Sequence, residues 1–179
     1  MAATPNLSER DKRRVIGVMG SGSNEHAELA VPLGAWIAER GFDLLTGGGG
    51  GVMAAVCRGF HGIADRRGVS IGILPAGPPN AYPNPWVDIA IHTHLPQRGE
   101  EGAGERSRNH LNVLSSHVLI ALPGGAGTRT EVELARKYGR PLIAYLGEFG
   151  EIEGLMLAQL PAVAVKQSDV EAFVLKWIA

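Results

Sequence analysis

His117-Val-Leu-Ile-Ala-Leu-Pro-Gly-Gly-Ala-Gly-Thr-Arg-Thr-Glu131 carries the clearest architectural signal in the chain. It opens with an apolar, β-branched and leucine run, the composition of a strand covered on both faces. It turns through Pro123, Gly124, Gly125 and Gly127, then enters Thr128-Arg-Thr-Glu-Val-Glu-Leu-Ala-Arg-Lys137, which reads as a helix. A strand, a glycine turn and a helix start make an anion cradle. Backbone without side chains lets a phosphate approach, and the free N–H groups of the first helical turn point at it.

Working outward, a second such device stands at Leu44-Leu-Thr46, followed by Gly47, Gly48, Gly49, Gly50 and Gly51 and a helix from Val52 to about Arg67. A third glycine turn, Gly20-Ser21-Gly22, ends the first strand, Arg13 to Gly20, and Ser23 or Asn24 is placed to cap the helix that follows. Leu29, Leu33 and Ile37 give that helix an apolar stripe, with Pro32 inside it to kink it or mark its start. Further strands are expected at Asp43–Thr46, Val69–Pro75, Trp86–Thr93, Pro141–Gly147 and Ala162–Val165, with helices from Arg108, around Ile152–Leu160 and from a capping box at Ser168–Glu171. Strands alternating with helices predict a Rossmann-like α/β fold, a doubly wound parallel sheet in three α/β/α layers. Ligands of such sheets sit beyond the carboxyl ends of the strands, where every one of these glycine turns falls.

The composition bounds the reading. A length of 179 residues predicts one domain, over 13–179, and the polar residues 1–12 read as a loose tail. Lys and Arg number 17 against 18 Asp and Glu, for a net charge of −1, which offers no electrostatic footprint for nucleic acid or an acidic membrane. Cys57 is the single cysteine, so no internal disulfide or cysteine zinc site can form. No apolar run reaches membrane-spanning length and the first residues lack a signal-peptide core, which predicts a cytoplasmic protein.

Several cofactor chemistries are disfavoured by specific residues. Gly20-Ser-Gly22 starts like a dinucleotide fingerprint, but Glu25 replaces its third glycine and Thr46-Gly47 stands where a ribose-binding acid belongs. Neither glycine loop carries the Gly-Lys-Ser/Thr of a P-loop. None of Lys12, Lys137, Lys166 and Lys176 lies at a strand's carboxyl end, as a pyridoxal lysine would. His92 and His94 flank Thr93 at strand spacing, too few ligands for a metal centre. The expectation is a site without metal or resident cofactor.

Pro123-Gly-Gly-Ala-Gly-Thr-Arg-Thr-Glu131 resembles the PGGxGTxxE signature of the Lonely Guy (LOG) family, and the likeness runs from about Val15 to Tyr145. Members are nucleotide phosphoribohydrolases that cut the N-glycosidic bond of cytokinin-type nucleoside 5′-monophosphates. The resemblance implies a partner for the motif glutamate in Arg108, which lies fifteen residues before Pro123, and a homodimer with sites near its interface. The family's glutamate and lysine on either side of that arginine are Ser107 and Asn109 here. Arg108-Asn-His-Leu-Asn-Val-Leu-Ser-Ser and Thr46-Gly-Gly-Gly-Gly-Gly-Val-Met-Ala-Ala-Val are more similar to a sister group, the molybdenum cofactor carrier proteins, which share the fold, bind a pterin phosphate and are not glycosidases.

Two readings therefore stand. In the first, Glu131 and Arg108 carry bond cleavage, while Gly124, Gly125, Gly127, Thr128, Gly20, Ser21, Asn109 and the Gly47–Gly51 turn bind the phosphorylated ligand. In the second, the same cradles carry a molybdenum cofactor or related pterin. Plainer roles compete for single residues. Thr128-x-x-Glu131 has the form of a capping box, Arg129 suits an exposed helix face, and Cys57 suits the core. The loop from Leu95 to Glu105 is either a cover for the ligand or disordered.

Overall fold

A computed structural model describes residues 13–77 and 83–178. The expected tail over residues 1–12 and most of the proline-rich loop between Gly77 and Pro85 lie outside the described residues. Strands β1 (Val15–Met19), β2 (Asp43–Thr46), β3 (Ser70–Leu74), β4 (Ile89–His92), β5 (Val118–Ala121), β6 (Leu142–Tyr145) and β7 (Val163–Ala164) form one sheet. Its order is β4-β3-β2-β1-β5-β6-β7, and every pairing is parallel. The helices are α1 (Ala27–Glu39), α2 (Val52–His61), α3 (Asn109–Ser115), α4 (Ala126–Lys137) and α5 (Gln167–Ile178).

The helices divide between the two faces. Residues of α1, α2 and α5, among them Leu33, Phe60 and Val174, meet Ile16, Val18, Val118 and Ile120 on one side. Val113 of α3 and Val132 and Leu134 of α4 meet Met19, Leu45, Leu119 and Leu142 on the other. Burial of β5 and β6 on both faces explains why their sequences read as apolar runs; β2 is buried as well, with Asp43 and Thr46 at its two ends. The layers are α/β/α, as expected. Helices α1 and α2 cross closely because Gly34 and Gly59 lie against Val56 and Val31 backbone, where a Cβ would overlap a carbonyl oxygen.

Several expected elements take another form. The segment around Ile152–Leu160 contains only a single 3₁₀ turn, Leu157–Gln159. Ile152 instead bridges to Gly124, and Gly154 holds a left-handed φ of 79°, which ends any helix before it starts. Helix α2 stops at His61 with Gly62 behind it, short of Arg67. Strand β4 is shorter than Trp86–Thr93 because Asp88 turns its carboxylate onto Ser70, accepting from N at 2.9 Å. Helix α5 begins at Gln167, so Ser168 is inside it and no capping box opens it; Gln167 Nε2 donates to Glu171 Oε1 instead, at 2.9 Å. Neither Ser23 nor Asn24 caps α1. His26 does so with a left-handed φ of 40° and no side-chain bond, while Asn24 Oδ1 accepts from His26 N at 3.1 Å. Pro32 lies within α1, which runs through it. No helix among the described residues is long and apolar enough to cross a membrane.

Candidate functional site

Chain order alone places the site. All strands run the same way, and β1 is flanked by β2 and β5, so connections leave it in opposite directions and open a crevice at its carboxyl end. The turns after β1, β2 and β5 converge there around a cleft of about 140 Å³. Its walls include Met19, Gly20 and Gly22 after β1, Gly47 after β2, Met53 of α2, and Gly127, Thr128 and Glu131 of α4. Arg108 and Asn109 come from the start of α3, and Arg98 and Gly99 from the loop before it.

Two helix starts face this hollow. Gly125 caps α4 without a side-chain bond, and the first internal bond runs from Arg129 N to Gly125 O at 3.0 Å. The N–H groups of Ala126, Gly127 and Thr128 therefore have no acceptor within the helix. At α2 the first internal bond is Ala55 N to Gly51 O at 3.0 Å, which leaves Met53 N in the same position. Both macrodipoles present their positive ends to the cleft.

Glu131 lies on the second turn of α4 and is 6% exposed. The competing capping-box role does not form, because α4 begins at Ala126 and puts Thr128 inside the first turn. Glu131 Oε1 instead accepts from Asn112 Nδ2 at 2.9 Å and lies 3.8 Å from Arg108 Nη1. Burial pushes the Glu131 carboxyl above its ordinary range; the nearby Arg108 charge and the Asn112 bond offset part of that. Arg108 reaches inward over Gly47, where any Cβ would overlap its guanidinium. That close approach gives the first glycine of the run its reason.

The remaining glycines of that run serve the chain. Gly48 has a φ of 72° and donates to Thr46 Oγ1 at 3.0 Å, while its carbonyl accepts from Asn84 N at 2.8 Å. Gly49 O accepts from Asn84 Nδ2 at 2.9 Å. Gly51, with a φ of 57°, lies against the Ser21–Ser23 backbone. Gly50 is exposed and outside the cleft lining.

Ser21 is spent as a brace between the two cradles. Its N–H donates to Pro123 O at 3.0 Å, its carbonyl accepts from Val52 N at 2.9 Å, and its Oγ accepts from Asn24 N at 2.9 Å. Gly124 is similarly committed: its N–H donates to Glu151 O at 3.1 Å and its carbonyl accepts from Glu153 N at 2.9 Å. Gly124 and Gly125 thus shape the turn and do not line the cleft. Asn109 lines it, with Nδ2 donating to Thr130 Oγ1 at 3.1 Å.

Of the residues expected at the site, Gly20, Gly47, Arg108, Asn109, Gly127, Thr128 and Glu131 are brought together, while Ser21, Gly48 through Gly51, Gly124 and Gly125 stand behind them. Met19, Gly22, Met53, Arg98 and Gly99 were not expected. Met19 and Gly22 adjoin the first glycine turn, and Met53 follows the second, so position was the available signal. Arg98 had none beyond its place in a polar loop.

That loop is ordered. It makes a 3₁₀ turn, Gly99–Glu101, held against α4 by an ion pair from Glu100 to Arg129. Arg129 therefore has a partner and is mostly covered, contrary to an exposed helix position. His92 and His94 are exposed, and no group of three or more His, Cys, Asp or Glu among the described residues could hold a metal ion. Cys57 is buried on α2, its thiol pushed up to about 11 by burial, which keeps it an unreactive thiol at neutral pH.

The family model of SLOG cluster4 matches residues 13–172. An uncharacterised protein of Archaeoglobus fulgidus is 35% identical over 152 residues, covering 84% of this chain and 91% of that protein. A probable cytokinin riboside 5′-monophosphate phosphoribohydrolase of Oryza sativa is 35% identical over 126 residues, covering 67% of this chain but 46% of the rice protein. The structure of the molybdenum cofactor binding protein from Rippkaea orientalis has a TM-score of 0.74 at 31% identity, covering 94% of this chain and 99% of that one. The molybdenum cofactor carrier protein of Chlamydomonas reinhardtii gives 0.72 at 31% identity, covering 93% and 99%.

Proposed function

The chain belongs to the SLOG cluster4 family, and from that premise we propose that it is a nucleoside 5′-monophosphate phosphoribohydrolase. The observation that carries this reading is Glu131. A carboxylate buried beside an anion site is costly, and cleavage of an N-glycosidic bond gives it a use. The 5′-phosphate takes the free amides at the start of α4, around Gly127 and Thr128, in the positive field of that helix. The ribose then lies over Glu131. As the C1′–N bond breaks, its electron pair leaves with the base, and the carboxylate stabilises the positive charge left on the ribose. Water adds to C1′, its proton balances the departing base, and ribose 5-phosphate remains. Arg108 neutralises negative charge on the phosphate or the departing base.

A second reading is favoured by the full-length likeness to the molybdenum cofactor proteins of Rippkaea and Chlamydomonas and by Ser107 and Asn109 beside Arg108. In it the same cleft carries a phosphorylated pterin as cargo. We further propose a homodimer. Leu111 and Leu114, 39% and 42% exposed on α3, form an apolar face on the helix whose start builds the cleft.

Purified protein incubated with AMP and with isopentenyladenine riboside monophosphate separates the readings. Release of free base by wild type and its loss in Glu131→Gln is the expected result. Absence of release together with co-purified pterin fluorescence establishes the carrier.

A further inference from the structure

The loop between β4 and α3 brings a second guanidinium to the cleft. Arg98 lines the hollow together with the glycine turns, and among the described residues it makes no ion pair or side-chain hydrogen bond. Its position is fixed from both sides. Upstream, Gln97 bridges to Ser107, and Gln97 Oε1 accepts from Arg106 N at 2.7 Å. Downstream, Glu100 pairs with Arg129 of α4, and Gly102 lies against Asn109 and Thr130 so closely that a Cβ would overlap them. Gly104 O, accepting from the His110 ring at 2.9 Å, closes the loop onto α3. The loop is thus a strap clasped across the first turn of α4, with Gly99, at a φ of 58°, touching the cleft beside Gly127.

We propose that Arg98 is an anion-binding residue of the site, directed at the phosphate of the ligand, and that the Glu100–Arg129 pair is its positioning clasp. The proposal rests on the reading of the cleft as a phosphate-ester site, and it holds for nucleotide and pterin phosphate alike. An arginine with no protein partner at the rim of a cleft already fed by two helix starts adds charge and a forked donor where phosphate oxygens arrive. Glu100 acts only through the strap: its carboxylate is exposed, pairs with Arg129 and is not part of the cleft lining.

The test measures binding by calorimetry, with AMP and inorganic phosphate as separate probes, alongside base release. A charge-assisted bond of this kind corresponds to about 10- to 100-fold in Kd, so Arg98→Ala weakens AMP by that factor and Arg98→Lys recovers part of it. Glu100→Gln, which touches no ligand, weakens AMP by about 2- to 5-fold, the scale of an exposed ion pair. In the double variant the Glu100 effect disappears, which a general loss of folding would not produce. Unchanged AMP and phosphate affinity in Arg98→Ala overturns the proposal, as does full additivity in the double variant. Binding that weakens as expected in a protein releasing no base leaves Arg98 in place and removes the hydrolase reading. Wild type that binds neither probe removes both.

Discussion

Glu131 combines a stability cost with the proposed chemistry, and the two separate in one substitution. A carboxyl whose pKa is higher folded than unfolded holds its proton more tightly in the folded state. Its contribution is complete below the unfolded pKa and is lost as pH rises through the folded one. Burial raises Glu131 in this way. Glu131→Gln should therefore melt with wild type below the ordinary carboxylate range and exceed it at pH 7. The expected gain is about 2–4 °C, the response of a chain this long to about 1 kcal/mol, and circular dichroism melts at the two pH values check it. Base release should rise with pH through the same raised pKa, because the proposed role needs the carboxylate. Gly47→Ala tests the neighbouring contact. Its Cβ displaces the guanidinium of Arg108, so kcat/KM for AMP should fall by about 10- to 100-fold while Tm stays within a few degrees. Glu131 and Arg108 were singled out through resemblance to a family motif, and the structure brings them to one cleft. Ser21 and Gly124 were not, because a glycine turn reads the same whether its amides face a ligand or are already bonded to Pro123 and Glu151 carbonyls.

At the scale of elements, local chemistry separated what could be read from what could not. Strands β5 and β6 announce themselves because burial on both faces leaves no charged residue to confuse the pattern. The segment after β6 misleads for the opposite reason. Its leucines and isoleucine suit a helix, but Gly154 and the bridge from Ile152 to Gly124 commit its backbone to the site's turn, a long-range partnership no local window contains. The crossing of α1 and α2 was equally hidden. Gly34 and Gly59 look like weak points in helices, yet each admits the carbonyl of its neighbour. Gly59→Ala should destabilise the protein by about 1–3 kcal/mol, read as a lower urea midpoint at unchanged slope. An unchanged midpoint would mean that the helices separate at little cost.

For the whole molecule, the parallel order with β1 at the point of reversal explains how turns far apart in sequence come to one hollow. That convergence was legible, since alternating strands and helices with glycine turns at carboxyl ends admit few other arrangements. The ordered strap was not, because the charges and glycines between Leu95 and Glu105 gain structure only from contacts with α3 and α4. Assembly belongs to this scale as well. Leu114→Asp should turn a dimer into a monomer in sedimentation velocity, and a wild type already monomeric at micromolar concentration would contradict the dimer. The central claim is that the cleft grips a phosphate and presents the attached ribose to Glu131. The most direct measurement compares free adenine released from AMP and from adenosine under identical conditions. Release from AMP at a rate at least about a hundredfold above that from adenosine is predicted, given phosphate binding energy spent on orientation. Equal rates from the two, or no adenine from saturating AMP, would contradict it.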